Sequence, residues 1–191
     1  MRIDNSFDVP LPPGEAWKVL LDIERIAPCM PGAELTEIVD ERNYKGKVSV
    51  RLGPVALAFA GHVQFEDIDD DNHKARAKAH GKDSKGRGGA NATIVFNLEP
   101  AGRGSTVYVS TDLNLSGSIA QYGRASGMIQ GVAAALIGQF SKNLKAQLVS
   151  PEDAAAGSYT MARQEAKPIS GFSLMLKGLW NVVLRLFRPP I

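Results

Sequence analysis

The chain has 191 residues, 44% of them hydrophobic and 22% charged, which suits one packed domain with an appendage and argues against global disorder. Lys and Arg number 22 against 20 acidic residues, a formal net charge of +2, which argues against nucleic acid as the main partner. A single cysteine, Cys29, excludes an internal disulfide framework and any all-cysteine metal site. Met1 to Pro10 carries Asp4 and Asp8 and no apolar run, so no signal peptide is expected and the protein is expected to stay in the cytoplasm.

The body reads as strand, helices, strands, long helix. Residues 2–9 alternate around Ile3, Phe7 and Val9 and suit an edge strand. Pro12 and Pro13 open a helix through Leu21, because proline is tolerated in a first turn. A short helix over 22–30 ends at Pro31-Gly32, and 33–39 forms the next strand. Period-2 runs follow at 44–52, 55–65, 74–80, 90–98 and 106–115, separated by turns rich in Gly, Asp and Asn. Residues 118–148 contain no proline and carry an apolar stripe from Ile119 to Leu144. About seven antiparallel strands curved around one long helix is an α+β helix-grip arrangement.

The inward face has small residues where bulk is expected. Ala75, Ala77 and Ala79 point inward in 74–80, and Ala90 and Ala92 precede Ile94 and Phe96 in 90–98. Gly123, Gly127 and Gly131 recur at four-residue spacing in the long helix, each costing about 1 kcal/mol relative to alanine. That pattern fits either close helix–sheet packing or a cavity. In the cavity reading Phe59, Phe65, Phe96 and Tyr122 ring the space. Ala77, Ala79, Ala92, Gly127 and Gly131 vacate it, and Gln121 or Arg124 meets a polar atom of an apolar ligand at the mouth.

Catalytic chemistry is scarce. His62 and His80 point outward and His73 lies in a turn, with no metal-ligand spacing among them. Cys29 reads as a structural thiol, Gly86-Arg87-Gly88-Gly89 as a hairpin turn, and Asp67, Asp69, Asp70 and Asp71 as a solvated turn lacking the closing glutamate of an EF-hand loop. No nucleophile elbow is present. No metal site and no catalytic residues are expected.

After Glu165 there is no acidic residue, and Lys167, Lys177, Arg185 and Arg188 give the segment +4. Residues 150–168 read as a flexible linker and 169–191 as an amphipathic tail. Ser173, Lys177, Asn181 and Arg185 recur every four positions, amid Phe172, Leu176, Leu179, Trp180, Val183 and Phe187, and Arg188 extends the basic face. Sixteen helical residues span roughly 24 Å, short of the ~30 Å of a bilayer core. A central lysine adds about 2.5–3.5 kcal/mol against insertion. The pattern therefore predicts a helix lying in the membrane interface, held by Trp, Phe and Leu on one side and by Lys and Arg on the other. An amphipathic helix docked on the body or on a partner is the plainer alternative.

Cys29-Met30-Pro31-Gly32-Ala33-Glu34 and Gly117-Ser118-Ile119-Ala120-Gln121-Tyr122-Gly123-Arg124 resemble the CoxG family of carbon monoxide dehydrogenase subunits, a branch of the START-like (SRPBCC) superfamily. The resemblance spans about 1–149. It implies a START-like domain with a deep apolar cavity, and a non-catalytic accessory role beside a molybdenum hydroxylase, notably tethering CO dehydrogenase to the cytoplasmic membrane. A cavity on a membrane-tethered body then points to a respiratory quinone, menaquinone or ubiquinone, as the apolar ligand, with no covalently bound cofactor. The expected location is peripheral, on the cytoplasmic face of the membrane. The alternatives are a pure anchor or assembly factor with a filled core, and a START-like small-molecule enzyme, which would need inward acid/base groups.

Overall fold

The computed structural model of the protein describes residues 1–123 and 126–148. Seven strands form one antiparallel sheet: β1 (Arg2–Val9), β2 (Ala33–Asp40), β3 (Asn43–Leu52), β4 (Val55–Asp69), β5 (Lys74–Asp83), β6 (Gly88–Ala101) and β7 (Gly104–Gly117). Their order is β1-β7-β6-β5-β4-β3-β2, so the first strand, an edge strand as expected, pairs with the last. From β2 to β7 every neighbour in the sheet is also a neighbour in sequence, joined by short turns. The last four strands run past the ends of the alternating sequence runs because tight hairpins let the ladder continue to the turn. Leu52 pairs Val55, and Ala101 pairs Gly104.

A line of glycines crosses the sheet. Gly46 of β3 faces Gly61 of β4, which faces Gly81 of β5, and the row continues to Ala90 and Leu115. A methyl group at Gly61 would collide with the His80 carbonyl oxygen, so no larger residue fits there. Missing side chains on the concave face let a sheet coil sharply.

The concave face is covered by α1 (Pro13–Leu21), α2 (Ile23–Ile26) with a 3-10 turn at Ala27–Cys29, α3 (Ala120–Gly123) and α4 (Ser126–Leu148). The helix-grip arrangement is thus the observed one. Two helix boundaries differ from the sequence reading. The expected helix over 22–30 is a single α turn followed by a 3-10 turn, because Pro28 has no N–H to continue the α ladder. The expected helix over 118–148 starts later. Gly117 has φ +71°, and the Ser118 hydroxyl and the Ile119 N–H both donate to the Arg87 carbonyl instead of entering a helix. Arg124, the linker 150–168 and the tail 169–191, with Phe172 to Arg188, lie outside the described residues.

The core has two lobes. One gathers Val9, Trp17, Leu20, Phe65, Ala75, Ala77, Leu98, Val107, Phe140 and Leu144. The smaller one gathers Leu52, Leu57, Phe59 and Ile119.

Candidate functional site: an apolar cavity under the long helix

Between sheet and helices lies a cavity of about 590 Å³ whose wall draws on both lobes of the core. Its volume falls within the ~300–1,000 Å³ of sites that enclose drug-sized ligands. Of the 28 described residues on its wall 26 are apolar, and the other two are Asn5 and Thr111. The wall is built by alternation. Val48, Val50 and Leu52 come from β3, and Leu57, Phe59 and Val63 from β4. Ala90, Ile94 and Phe96 come from β6, and Val107, Val109, Leu113 and Leu115 from β7. The helical wall is Leu20, Ile23, Ile26 and Met30 at one end, with Ile129, Val132, Ala133, Leu136, Ile137 and Phe140 along α4.

Of the residues expected to bind the ligand, Phe59 and Phe96 stand on this wall. Phe65 and Ala77 do not. They are cross-strand partners in the larger core lobe, where Phe65 also meets Tyr44 edge-on with centroids 6.3 Å apart. Ala75, the next inward alanine, pairs with Phe96, and Phe96 lies 5.7 Å from the Trp17 ring. Ala75 and Ala77 therefore receive aromatic rings rather than leave a void. Ala79 and Ala92 face each other at half-buried positions off the wall. Their one-carbon side chains stop short of the space that Val63 and Leu113, flanking them in the same row, reach.

The helix face is the larger correction. At 3.6 residues per turn, Gly127 and Gly131 sit on the side of α4 opposite Ile129, Ala133, Leu136 and Phe140. Both glycines are exposed, and a methyl group on either would touch nothing within 4 Å. They neither border the cavity nor pack on the sheet. Gly123 belongs to the separate α3, where its added methyl would come 3.8 Å from Leu115. Tyr122 is half-buried against the smaller lobe and Gln121 is exposed, neither on the wall.

The two quoted motifs act on the helices that cover the cavity. Cys29 is buried; its carbonyl accepts from Asn143 Nδ2 at 2.8 Å and its thiol reaches Gln147 Oε1 at 3.2 Å. The first motif thus fastens the C-terminal part of α4, while its Met30 enters the cavity wall. Burial pushes the Cys29 thiol pKa up, against a weaker opposing effect of Arg25, so the thiol stays protonated and structural, as expected. The second motif fastens the other end through the Arg87 carbonyl and through Ile119, which is 1% exposed among Leu52, Leu57 and Phe59.

Sequence reading missed what holds Arg87. Its Nε and Nη2 donate to the two oxygens of Asp83 at 2.8 Å each, and Nη2 also donates to the Ala56 carbonyl. The Asp83 side chain is fully buried and accepts two backbone N–H bonds, from Lys85 and Arg87. The guanidinium, outweighing burial, holds this carboxyl far below the usual carboxylate range. The available signal was an Asp at the start and an Arg near the end of one glycine-rich hairpin.

Other polar groups singled out in the sequence have local partners. Asp70 accepts from Trp17 Nε1 at 2.7 Å, and Asp69 caps the turn through Asn72, consistent with a turn rather than a cation loop. His62 and His80 form an exposed cross-strand pair on the outer face, and His73 packs on Trp17. Among the described residues no group of three or more His, Cys, Asp or Glu side chains is placed to hold a metal ion. No helix among them is long and apolar enough to cross a membrane.

Solved structures share this architecture. A conserved Geobacillus kaustophilus protein superposes with a TM-score of 0.67 at 22% identity, covering 78% of this chain and 95% of its own. A Thermus thermophilus protein follows at 0.55 and 15%, covering 77% and 99%. An aromatase/cyclase from a Streptomyces species gives 0.54 and 11%, covering 77% and 92%. At such identities the likeness establishes the START-like fold. No curated protein matches the chain. The model of one sequence family matches residues 6–149, a span that includes the whole cavity wall except Ile3 and Asn5 and both fastening motifs. The chain belongs to the CoxG family of carbon monoxide dehydrogenase subunits.

Proposed function

We propose that this protein is a non-catalytic accessory of a molybdenum CO dehydrogenase or related hydroxylase. It carries a respiratory quinone, menaquinone or ubiquinone, in its cavity and tethers the enzyme to the cytoplasmic face of the membrane. The observation that carries the reading is the cavity itself, about 590 Å³ of space whose described wall residues are almost all apolar and all uncharged. A space of that character favours an apolar occupant over water. The absence of a titratable side chain among the described wall residues supports a carrier over a catalyst, since acid/base work needs such groups at the reacting atoms. The family name supports the enzyme partner. Oxidation of CO with water to CO2 releases two electrons and two protons, which together convert a quinone to its quinol. A domain that shields a quinone ring from water brings that acceptor out of the bilayer to the enzyme. The basic, apolar pattern of 169–191 supports attachment to anionic lipid.

Organic extraction and native mass spectrometry of the purified full chain test the carrier. A stoichiometric quinone is expected, and a protein with no extractable apolar molecule leaves only the anchor reading. Deleting 169–191 is expected to release the protein from membranes while the body still retains the enzyme in a pull-down. Changing Lys177, Arg185 and Arg188 to Glu is expected to weaken binding to anionic vesicles by about 1 kcal/mol per charge. A truncated chain that still pellets with membranes overturns the tether.

A further inference from the structure

The alternation that builds the cavity is broken at two places, and they are neighbours. Inward positions on β1 are Ile3, Asn5, Phe7 and Val9, and on β7 they run from Ser105 through Val107, Val109, Thr111 and Leu113. Ile3 pairs with Thr111 and Asn5 with Val109, so Asn5 and Thr111 are diagonal neighbours on one face, with Cα atoms about 7–8 Å apart. The third polar residue of the set, Ser105, has a structural use: it is 1% exposed and its hydroxyl donates to the Leu11 carbonyl at 2.7 Å. Asn5 and Thr111 have none. No side-chain hydrogen bond is found for either among the described residues, where no buried side-chain polar atom lacks a partner, so their polar atoms stay accessible; both residues are half-buried on the cavity wall.

We infer that Asn5 and Thr111 together receive one neutral oxygen of the ligand, a carbonyl or a hydroxyl. This deepens the carrier reading and rests on it. A carboxamide and a hydroxyl each both donate and accept, so the pair serves a ring carbonyl and the corresponding ring hydroxyl alike. It therefore holds a quinone and its quinol without preferring one strongly, as a carrier that loads in one state and unloads in the other requires. The described residues of the same wall include no cation for an acid, so the ligand class is an apolar molecule with an uncharged oxygen function, and a fatty-acid carboxylate on that wall meets the cost of burying an unpaired charge.

Calorimetric titration of the full chain, freed of bound lipid, tests this with three probes: 2-methyl-1,4-naphthoquinone, the hydrocarbon 2-methylnaphthalene, and palmitate. The quinone is expected to bind about tenfold more tightly than the hydrocarbon, and palmitate more weakly than either. Asn5→Leu and Thr111→Val are each expected to bring the quinone down to the affinity of the hydrocarbon while leaving hydrocarbon binding within twofold. Thr111→Ser, which keeps the hydroxyl, is expected to restore the preference. Equal wild-type binding of quinone and hydrocarbon overturns the inference without any variant having to fold. Hydrocarbon binding with an unchanged preference in both variants also overturns it and spares the carrier. Absence of binding by every probe overturns both.

Discussion

Filling the cavity from α4 separates empty space from packed core by the sign of one number. Ala133 lies on the cavity wall, half-buried and beside Leu136 and Ile137. Replacing it by leucine adds three carbons directed into the space. Burial is worth about 0.8 kcal/mol per carbon, offset by roughly 0.5–1 kcal/mol of lost side-chain freedom. The net gain is about 1.5 kcal/mol if the carbons meet vacancy. For a domain of this size each kcal/mol moves Tm by about 2–4 °C, so the lipid-free variant is expected to melt about 3–6 °C higher. The same bulk excludes ligand, so its quinone content falls. Thermal melts and extraction on one preparation give both readings. If the space is instead close-packed, the extra carbons cost about 1–3 kcal/mol and Tm falls. A lower Tm refutes the cavity; a higher Tm with undiminished ligand refutes its being the ligand's site.

Gly131→Ala is expected to stabilise the fold by about 1 kcal/mol, because the added methyl meets nothing within 4 Å and only the helix propensity changes; a destabilised variant in urea titrations would place Gly131 against a neighbour after all. Asp83 is ionised in the fold far below its ordinary pKa, so the unfolded state binds the extra proton and stability rises with pH across that range. Its contribution is complete above the unfolded pKa of about 3.9 and is lost as pH falls through the folded value. Asp83→Asn is therefore expected to lower Tm at pH 7 and to make the decline of Tm between about pH 5 and pH 3 shallower. Parallel pH profiles for the two proteins would count against the buried pair.

The strands were legible because a half-buried antiparallel sheet writes its register as a period of two. Val48, Val50 and Leu52, then Leu57 and Phe59, then Ile94 and Phe96 all face where their alternation puts them. Lost in the sequence was depth along that face. Alternation says that Phe65 and Phe59 both point inward, but only pairing shows that Phe65 is backed by Ala77 within the larger core lobe while Phe59 borders open space. The glycines of α4 misled for a different reason. A four-residue repeat fixes residues on one helical face without saying which face, and Ile129, Leu136 and Phe140 on the other side claimed the interior. The informative glycines were in the strands. Gly46, Gly61 and Gly81 interrupt inward apolar positions in three successive strands, and their alignment appears only when the register is known.

That division of labour bears on what family membership means for this fold. Both motifs that carry the resemblance do mechanical work: one ties Asn143 and Gln147 to the turn after α2, the other ties the chain before α4 to the Asp83–Arg87 hairpin. They fix the long helix at its two ends and so set the height of the roof over the cavity. Among the described residues of the two motifs, Met30 alone lines the space beneath. A chain can keep both and still line that space differently, so the motifs report that there is a roofed cavity, while the strand positions decide what enters. Those strand positions are read one residue at a time, and a polar residue among them costs stability unless it is used. On the proposed reading Asn5 and Thr111, diagonal neighbours on β1 and β7 at the wall, are where ligand choice is written in this chain.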